Sequence, residues 1–207
     1  MPAAPFVDYR TMPITRRLTL FAFAAALAGC ASAPLSQSTV ADYRETIDLS
    51  GRLSVNYEKD GQPGSVTGNF EWSQQPGRID VSLASPLGQT LAEISVTPQG
   101  ATLTQAGREP LSAQDIDTLT SQALGWSLPV AGLRDWMQGY ATAADGTRFV
   151  ASPANNNVFT KDGWRLRFVS WQDEKAARPV PQRIDAERSA TATSGELQIR
   201  IIINPAA

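Results

Sequence analysis

Leu49-Ser50-Gly51-Arg52-Leu53-Ser54-Val55-Asn56-Tyr57, followed after Asp60-Gly61 by Ser65-Val66-Thr67-Gly68-Asn69-Phe70-Glu71-Trp72, alternates apolar or small residues with polar ones on both sides of a turn. A period of two puts successive side chains on opposite faces of a strand, so each segment has one apolar and one polar face. The short Asp-Gly connection folds the two into an antiparallel hairpin. The same alternation continues through Ile79, Val81 and Leu83, through Ala92, Ile94 and Val96, and through Ala101 and Leu103 before Ala106-Gly107. Connections this short predict an antiparallel meander. Strand signals return at Trp164, Leu166 and Phe168, at Ile184 and Ala186, and at Leu197, Ile199, Ile201 and Ile203.

Three segments break the pattern. Thr39-Val40-Ala41-Asp42 resembles a capping box, and Val40, Tyr43 and Ile47 recur at helical spacing, which predicts a short amphipathic helix. Ser112-Ala113-Gln114-Asp115 is a second such box before the stripe Ile116, Leu119 and Ala123, ended by Gly125. Leu128-Pro129-Val130 turns into another short helix carrying Val130, Leu133, Trp136 and Met137, stopped at Gly139. An antiparallel sheet of eight or more strands curls, and helices inserted in the chain can cover its concave apolar face. Periodicity does not distinguish a packed interior from a hollow one, and Phe70, Trp72, Trp136 and Phe168 suit either.

Ahead of the domain, Arg16 and Arg17 precede an uncharged run from Leu18 that ends in Leu27-Ala28-Gly29-Cys30, and Cys30 is the only cysteine. This resembles a bacterial lipoprotein signal peptide: a basic start, an apolar stretch too short to span a bilayer, and small residues at a cleavage point. Residues 1–29 are expected to be the leader, with Met12 a candidate true start because it opens a compact Met-Pro-Ile-Thr-Arg-Arg. Cys30 is the expected lipid-attachment site. Residues 30–37 read as a lipidated tether, in which the seven residues from Ala31 to Gln37 reach at most about 25 Å when extended. Residues 38–207 read as a single domain.

Composition narrows the chemistry. Losing Arg10, Arg16, Arg17 and Asp8 with the leader takes the net charge from −2 to −4, which leaves no basic field for nucleic acid. There is no histidine, hence no Ser-His or Cys-His catalysis and none of the commonest transition-metal ligand. The lone thiol is committed to lipid, and neither a phosphate-cradling Gly-x4-Gly-Lys loop nor a dinucleotide fingerprint occurs. No catalytic residue, metal site or cofactor is assigned. Asp115 and Asp117 open a helix, and Asp173 and Glu174 lie in a polar loop, so both pairs read as solvated.

Phe70-Glu71-Trp72, then Ser85-Pro86-Leu87-Gly88, then Leu124-Gly125-Trp126-Ser127-Leu128-Pro129-Val130 followed by Leu133, Trp136 and Gly139, resemble in order and spacing the outer-membrane lipoprotein receptor family LolB. The resemblance runs from about Tyr43 to Ile203. It departs at Ile203-Asn204-Pro205, where the family often has a tryptophan after the last strand.

The resemblance implies a mainly β fold with helices: an incomplete, strongly curved antiparallel β-barrel of about eleven strands, closed by short α-helices around an apolar cavity. It implies a monomeric protein, lipid-anchored at the outer membrane and facing the periplasm. Such a protein takes acylated lipoprotein cargo from the periplasmic carrier LolA and inserts it into outer-membrane lipid. With alternation deciding which strand face is inward, the cavity is expected to be lined by Leu53, Val55, Phe70, Trp72, Val81, Leu83, Ile94, Val96, Phe168, Ile199 and Ile201 on strands and by Ile116, Leu119, Leu133 and Trp136 on helices. Pro86, Leu87 and Gly88 are expected to form a membrane-insertion loop. Two other classes stay open on the residues alone: a structural or interaction lipoprotein with a filled barrel, and a Ser-Lys hydrolase using Lys59 or Lys161.

Overall fold

The computed structural model describes residues 34–59, 61–124, 128–191 and 195–205. The leader, Cys30 and Gly125-Trp126-Ser127 lie outside the described residues. Among the described residues there are twelve strands: β1 (Ile47–Lys59), β2 (Gln62–Gln75), β3 (Arg78–Ala84), β4 (Thr90–Thr97), β5 (Gly100–Gln105), β6 (Leu111–Ala113), β7 (Tyr140–Thr142), β8 (Arg148–Val150), β9 (Asn157–Phe159), β10 (Arg165–Trp171), β11 (Pro181–Arg188) and β12 (Leu197–Ile203). Two helices, α1 (Ile116–Leu124) and α2 (Val130–Trp136), lie between β6 and β7.

Ten strands form one antiparallel sheet in the order β6-β5-β4-β3-β2-β1-β12-β11-β10-β9, and β7 and β8 pair separately. The expected meander is present twice, once from β1 to β6 and once from β9 to β12. The two join because the last strand returns to the first, with Gly51 opposite Ile203 and Tyr57 opposite Leu197. Gly51 sits at this junction because a β-carbon there would lie 2.0 Å from the carbonyl oxygen of Ile202 and 2.8 Å from the Phe70 ring. The sheet remains open, with β6 and β9 as its edges; closure into a barrel is not seen.

Alternation sets the core. β12 buries Leu197, Ile199, Ile201 and Ile203 while exposing the residues between them. Phe70 and Trp72 on β2, Val81 on β3, Ile94 on β4, and Leu166 and Phe168 on β10 share that inner face. The helices lay Ile116, Leu119, Val130, Leu133 and Trp136 against it. Asp115 caps α1: its carboxylate accepts the Thr118 N–H at 2.7 Å and the Thr118 hydroxyl at 2.8 Å, and these bonds hold its pKa below the ordinary value. Ser112, expected to open the box, instead belongs to β6, so the cap falls three residues later than expected.

No helix forms at residues 39–46; the segment is an irregular strap. Its polar groups find partners on the body instead of on one another. The Val40 N–H donates to the Ala151 carbonyl at 3.1 Å, and the Tyr140 hydroxyl donates to the Ala41 carbonyl at 2.6 Å. The Gln138 amide takes the Arg44 N–H at 2.9 Å and donates to the Arg44 carbonyl at 3.1 Å. Val40 and Ile47 are buried, but each packs on the body and not on a common helical face. The strap is held from Ser36 onward, whose carbonyl accepts the Ala154 N–H at 3.0 Å.

Candidate functional site

The inner face divides into a filled half and a hollow half. Beneath β8 and β10, Phe149, Phe168 and Trp171 stack in series with centroids 6.1 Å apart at each step, and Trp136 meets Trp164 edge-on at 5.5 Å. The strap fills one end of the hollow half. There the Trp72 indole N–H donates to Gln74, whose amide donates to the Tyr43 hydroxyl at 3.1 Å, and Tyr43 meets the Tyr140 ring edge-on at 5.8 Å. Burial raises the Tyr43 pKa above the ordinary phenol value, against a smaller lowering from the hydrogen bond that Gln74 donates to its oxygen.

Between β1–β5 and the helices lies an apolar cavity of about 370 Å³, lined by Leu53, Val55, Leu83, Ala92, Ile94, Leu103 and Leu128 among others. A second void of about 20 Å³ is lined by Leu53, Phe70, Trp72, Val81, Leu83, Leu128, Leu133, Met137 and Ile201. Leu53, Leu83 and Leu128 line both. Of the residues singled out in the sequence, Val96, Ile116, Leu119, Trp136, Phe168 and Ile199 line neither void and pack into the solid core around them.

Leu128 follows α1 at the entry to α2. Its N–H donates to the Thr120 hydroxyl at 2.9 Å, and that hydroxyl donates in turn to the Ile116 carbonyl at 3.0 Å. Thr120 is therefore a buried polar side chain with its hydrogen bonds satisfied within the wall. The sequence motif contained Leu128, but nothing in its spacing marked it as a cavity residue.

The mouth carries Val66, 45 % exposed, and Leu91, 41 % exposed. Strict alternation on β4 would put Leu91 outside with Glu93. A register shift seats Leu83 opposite Ala92 but Ala84 opposite Thr90, so Leu91 is the extra residue of a bulge at the cavity lip.

The bulge leads directly to the β3–β4 connection. The Gly88 N–H donates to the Ser85 carbonyl at 2.9 Å, the Ser85 N–H to the Gln89 carbonyl at 2.7 Å, and the Gln89 N–H to the Ser85 hydroxyl at 3.2 Å. Pro86 presets the first corner, and Gly88 takes φ +85°, which side chains rarely adopt. Leu87 is thereby held at the tip of a tight, internally bonded turn and is 91 % exposed. The loop and the cavity mouth share one end of the sheet, with β1 and β2 extending past them to their own turn.

The polar face of the sheet has a different character. A shallow groove of about 1050 Å³ there is lined by Glu71, Asp80, Glu93 and a ladder of serines and threonines. It is larger than the apolar cavity, but carboxylates, arginines and hydroxyls are interspersed along its walls. Farther along the same face, Asp185 is nearly buried among Arg183 at 2.6 Å, Arg200 at 3.1 Å and Arg167 at 3.7 Å. Burial pushes its pKa up, but hydrogen bonds from Arg183 and Arg200 outweigh this and hold it below the ordinary value. Among the described residues no group of His, Cys, Asp and Glu is arranged to hold a metal ion.

A family model described as "Outer membrane lipoprotein LolB" matches residues 45–205. The chain is 41 % identical over 195 residues to an outer-membrane lipoprotein LolB of Cupriavidus necator, covering 92 % of this chain and 97 % of that one. It is 34 % identical over 173 residues to an outer-membrane lipoprotein LolB of Bordetella pertussis, covering 82 % and 86 % respectively. Among solved structures, a LolA superfamily protein of Nitrosomonas europaea aligns over 79 % of this chain and 86 % of its own at 7 % identity and a TM-score of 0.44, too distant to bear on the fold. The match to the family model across the β-sheet and both helices, with these relatives aligned over most of their length, makes this chain a member of the LolB family of outer-membrane lipoproteins.

Proposed function

We propose that this protein, anchored to the outer membrane through Cys30, receives acylated lipoproteins from the periplasmic carrier LolA. Their acyl chains enter the cavity under β1–β5, and the loop at Leu87 directs their release into the bilayer. The observation that carries this is the placement of an apolar cavity's mouth beside a turn that holds a leucine almost wholly in solvent. Hydrocarbon recognition needs apolar area and little else, so walls of leucine, valine and isoleucine accept acyl chains of differing length. A cargo chain brings about 0.8 kcal/mol for each methylene removed from water, and no nucleotide is needed. Direction then comes from increasing affinity along the route from donor to cavity to bilayer.

At about 370 Å³ the hollow is near the lower end of ligand pockets, which run roughly from 300 to 1,000 Å³. A triacylated cargo therefore requires expansion. The open sheet permits it: β6 and β9 are unpaired at their outer sides, and Leu128 stands where the two voids meet. An incomplete barrel, its sheet curled around cargo and covered by α1 and α2, is the loaded form. The stacked aromatics under β10 serve as the rigid wall against which the other half opens.

The test is mass spectrometry of the protein extracted from membranes together with a transfer assay. Lipidation at Cys30, co-purified acyl material and acceptance of a lipoprotein from LolA are expected. A protein that carries no lipid and takes none from the donor is the filled, structural lipoprotein instead.

A further inference from the structure

The mouth of the cavity is apolar on one side only. Val66 and Leu91 form one lip, while Gln105, Ala106 and Arg108 form another part of the rim. Gln105 continues the inward series Ala101, Leu103 and lies opposite Ala92, so an amide occupies the last inner-face position of β5. Arg108 follows the turn at Ala106-Gly107, folded back on β5 by its N–H, which donates to the Gln105 carbonyl at 3.2 Å. Its guanidinium donates to the Gln105 side-chain oxygen at 3.3 Å. That bond uses one of five guanidinium N–H groups. Among the described residues no carboxylate forms an ion pair with Arg108, and none lines the cavity.

Acyl chains alone have no use for donors at the rim. The head of an acylated cysteine does, because it carries ester and amide carbonyls where the chains converge. Once the chains are inside, these acceptors halt at the mouth and lose water, and an unpaired buried carbonyl costs about 1–3 kcal/mol. We infer that Arg108, steadied by Gln105, is a head-group subsite that donates hydrogen bonds to the ester carbonyls of the cargo's acylated cysteine. Charge-assisted bonds of this kind are about twice as strong as neutral ones. The subsite fixes how deep the chains sit and separates lipoproteins from bare hydrocarbon. It also favours unloading: with Leu87 in a bilayer, the mouth at the same end of the sheet faces the headgroup layer, where water and phosphate compete for the guanidinium.

This inference rests on the cavity being the acyl site, and the experiment separates the two. Full-length lipidated protein in phospholipid nanodiscs is titrated, by tryptophan fluorescence, with a short-chain triacylated cysteinyl-serine peptide, with its ether-linked analogue lacking the ester carbonyls, and with a lysophospholipid. In the wild type the ester probe binds tighter than the ether probe. Arg108→Ala weakens the ester probe on the order of tenfold, leaves the ether probe within about twofold, and Arg108→Lys recovers part of the loss. Equal weakening of both probes overturns the subsite and leaves the cavity standing, since Arg108 is then only a piece of wall. A larger loss for the lysophospholipid than for the ester probe also overturns it, because the guanidinium then serves a phosphate. Failure of the wild type to bind either acyl probe removes the acyl site and this inference with it.

Discussion

The N–H of Leu128 donates to the hydroxyl of Thr120 at 2.9 Å, which ties the entry of α2 to α1 and steadies one of the three leucines that line both voids of the hollow half. This buried hydrogen bond is one of the restraints on the wall of the cavity. Thr120→Val keeps the shape but leaves that N–H without its partner. A loss of about 1–3 kcal/mol in urea unfolding is expected, together with faster uptake of an acyl probe. A variant as stable as the wild type would show that Leu128 is held by other means.

Leu128→Ala opens the wall itself. Deleting a buried leucine costs about 2–5 kcal/mol, and the space it leaves joins the two voids. Longer acyl probes are expected to bind better relative to short ones than they do in the wild type. An unchanged chain-length preference would place the acyl chains elsewhere.

Leu53 lines both voids from the central strand β1. Leu53→Glu puts a carboxylate into the apolar wall, where the one cation lining the cavity among the described residues is Arg108 at the rim, and burying a poorly paired charge is costly. Acyl binding at neutral pH is expected to fall at least tenfold, with a lowered melting temperature. If both measurements stay at the wild-type level, the β1 face has been assigned the wrong way round.

Asp185 gives the protein an acid-sensitive contribution to stability. Its folded-state pKa lies below the ordinary 3.8, so the stabilisation is complete above that value and is lost as pH falls through the lower, folded-state value. Asp185→Asn is expected to cost about 1–2 kcal/mol at pH 7, discounted because the arginine partners are partly exposed. The gap between the two proteins should close below pH 3.8, read from urea midpoints at a series of pH values. A gap independent of pH would mean that the carboxylate's charge contributes nothing.

The central hairpins were legible because β1 and β2 run through 13 and 14 residues, long enough for a period of two to stand out. β7, β8 and β9 are three residues each, too short for any period to show. Val40, Tyr43 and Ile47 had helical spacing, but tertiary partners on Ala151, Tyr140 and Gln138 gave the backbone a better set of bonds than a helix of that length provides. Leu91 was hidden by a bulge, which reverses the parity on which face assignment depends. Gln105 had a readable signal: it is the polar residue that continues an inward series, and such a residue on an apolar face calls for an explanation. The division into a filled and a hollow half was not readable, because alternation reports which face is inward and not how far apart the opposing side chains stand.

The most direct measurement is the rate at which a bound lipoprotein passes from the Leu87→Glu protein into liposomes, beside its rate of uptake from LolA. Leu87 makes its exposed turn without contributing to the core, and a leucine entering lipid gains roughly 1.5–3 kcal/mol, which a glutamate forfeits. The account predicts unchanged stability, uptake within about twofold of the wild type, and release slowed roughly tenfold or more. Release at the wild-type rate, with uptake intact, would contradict it.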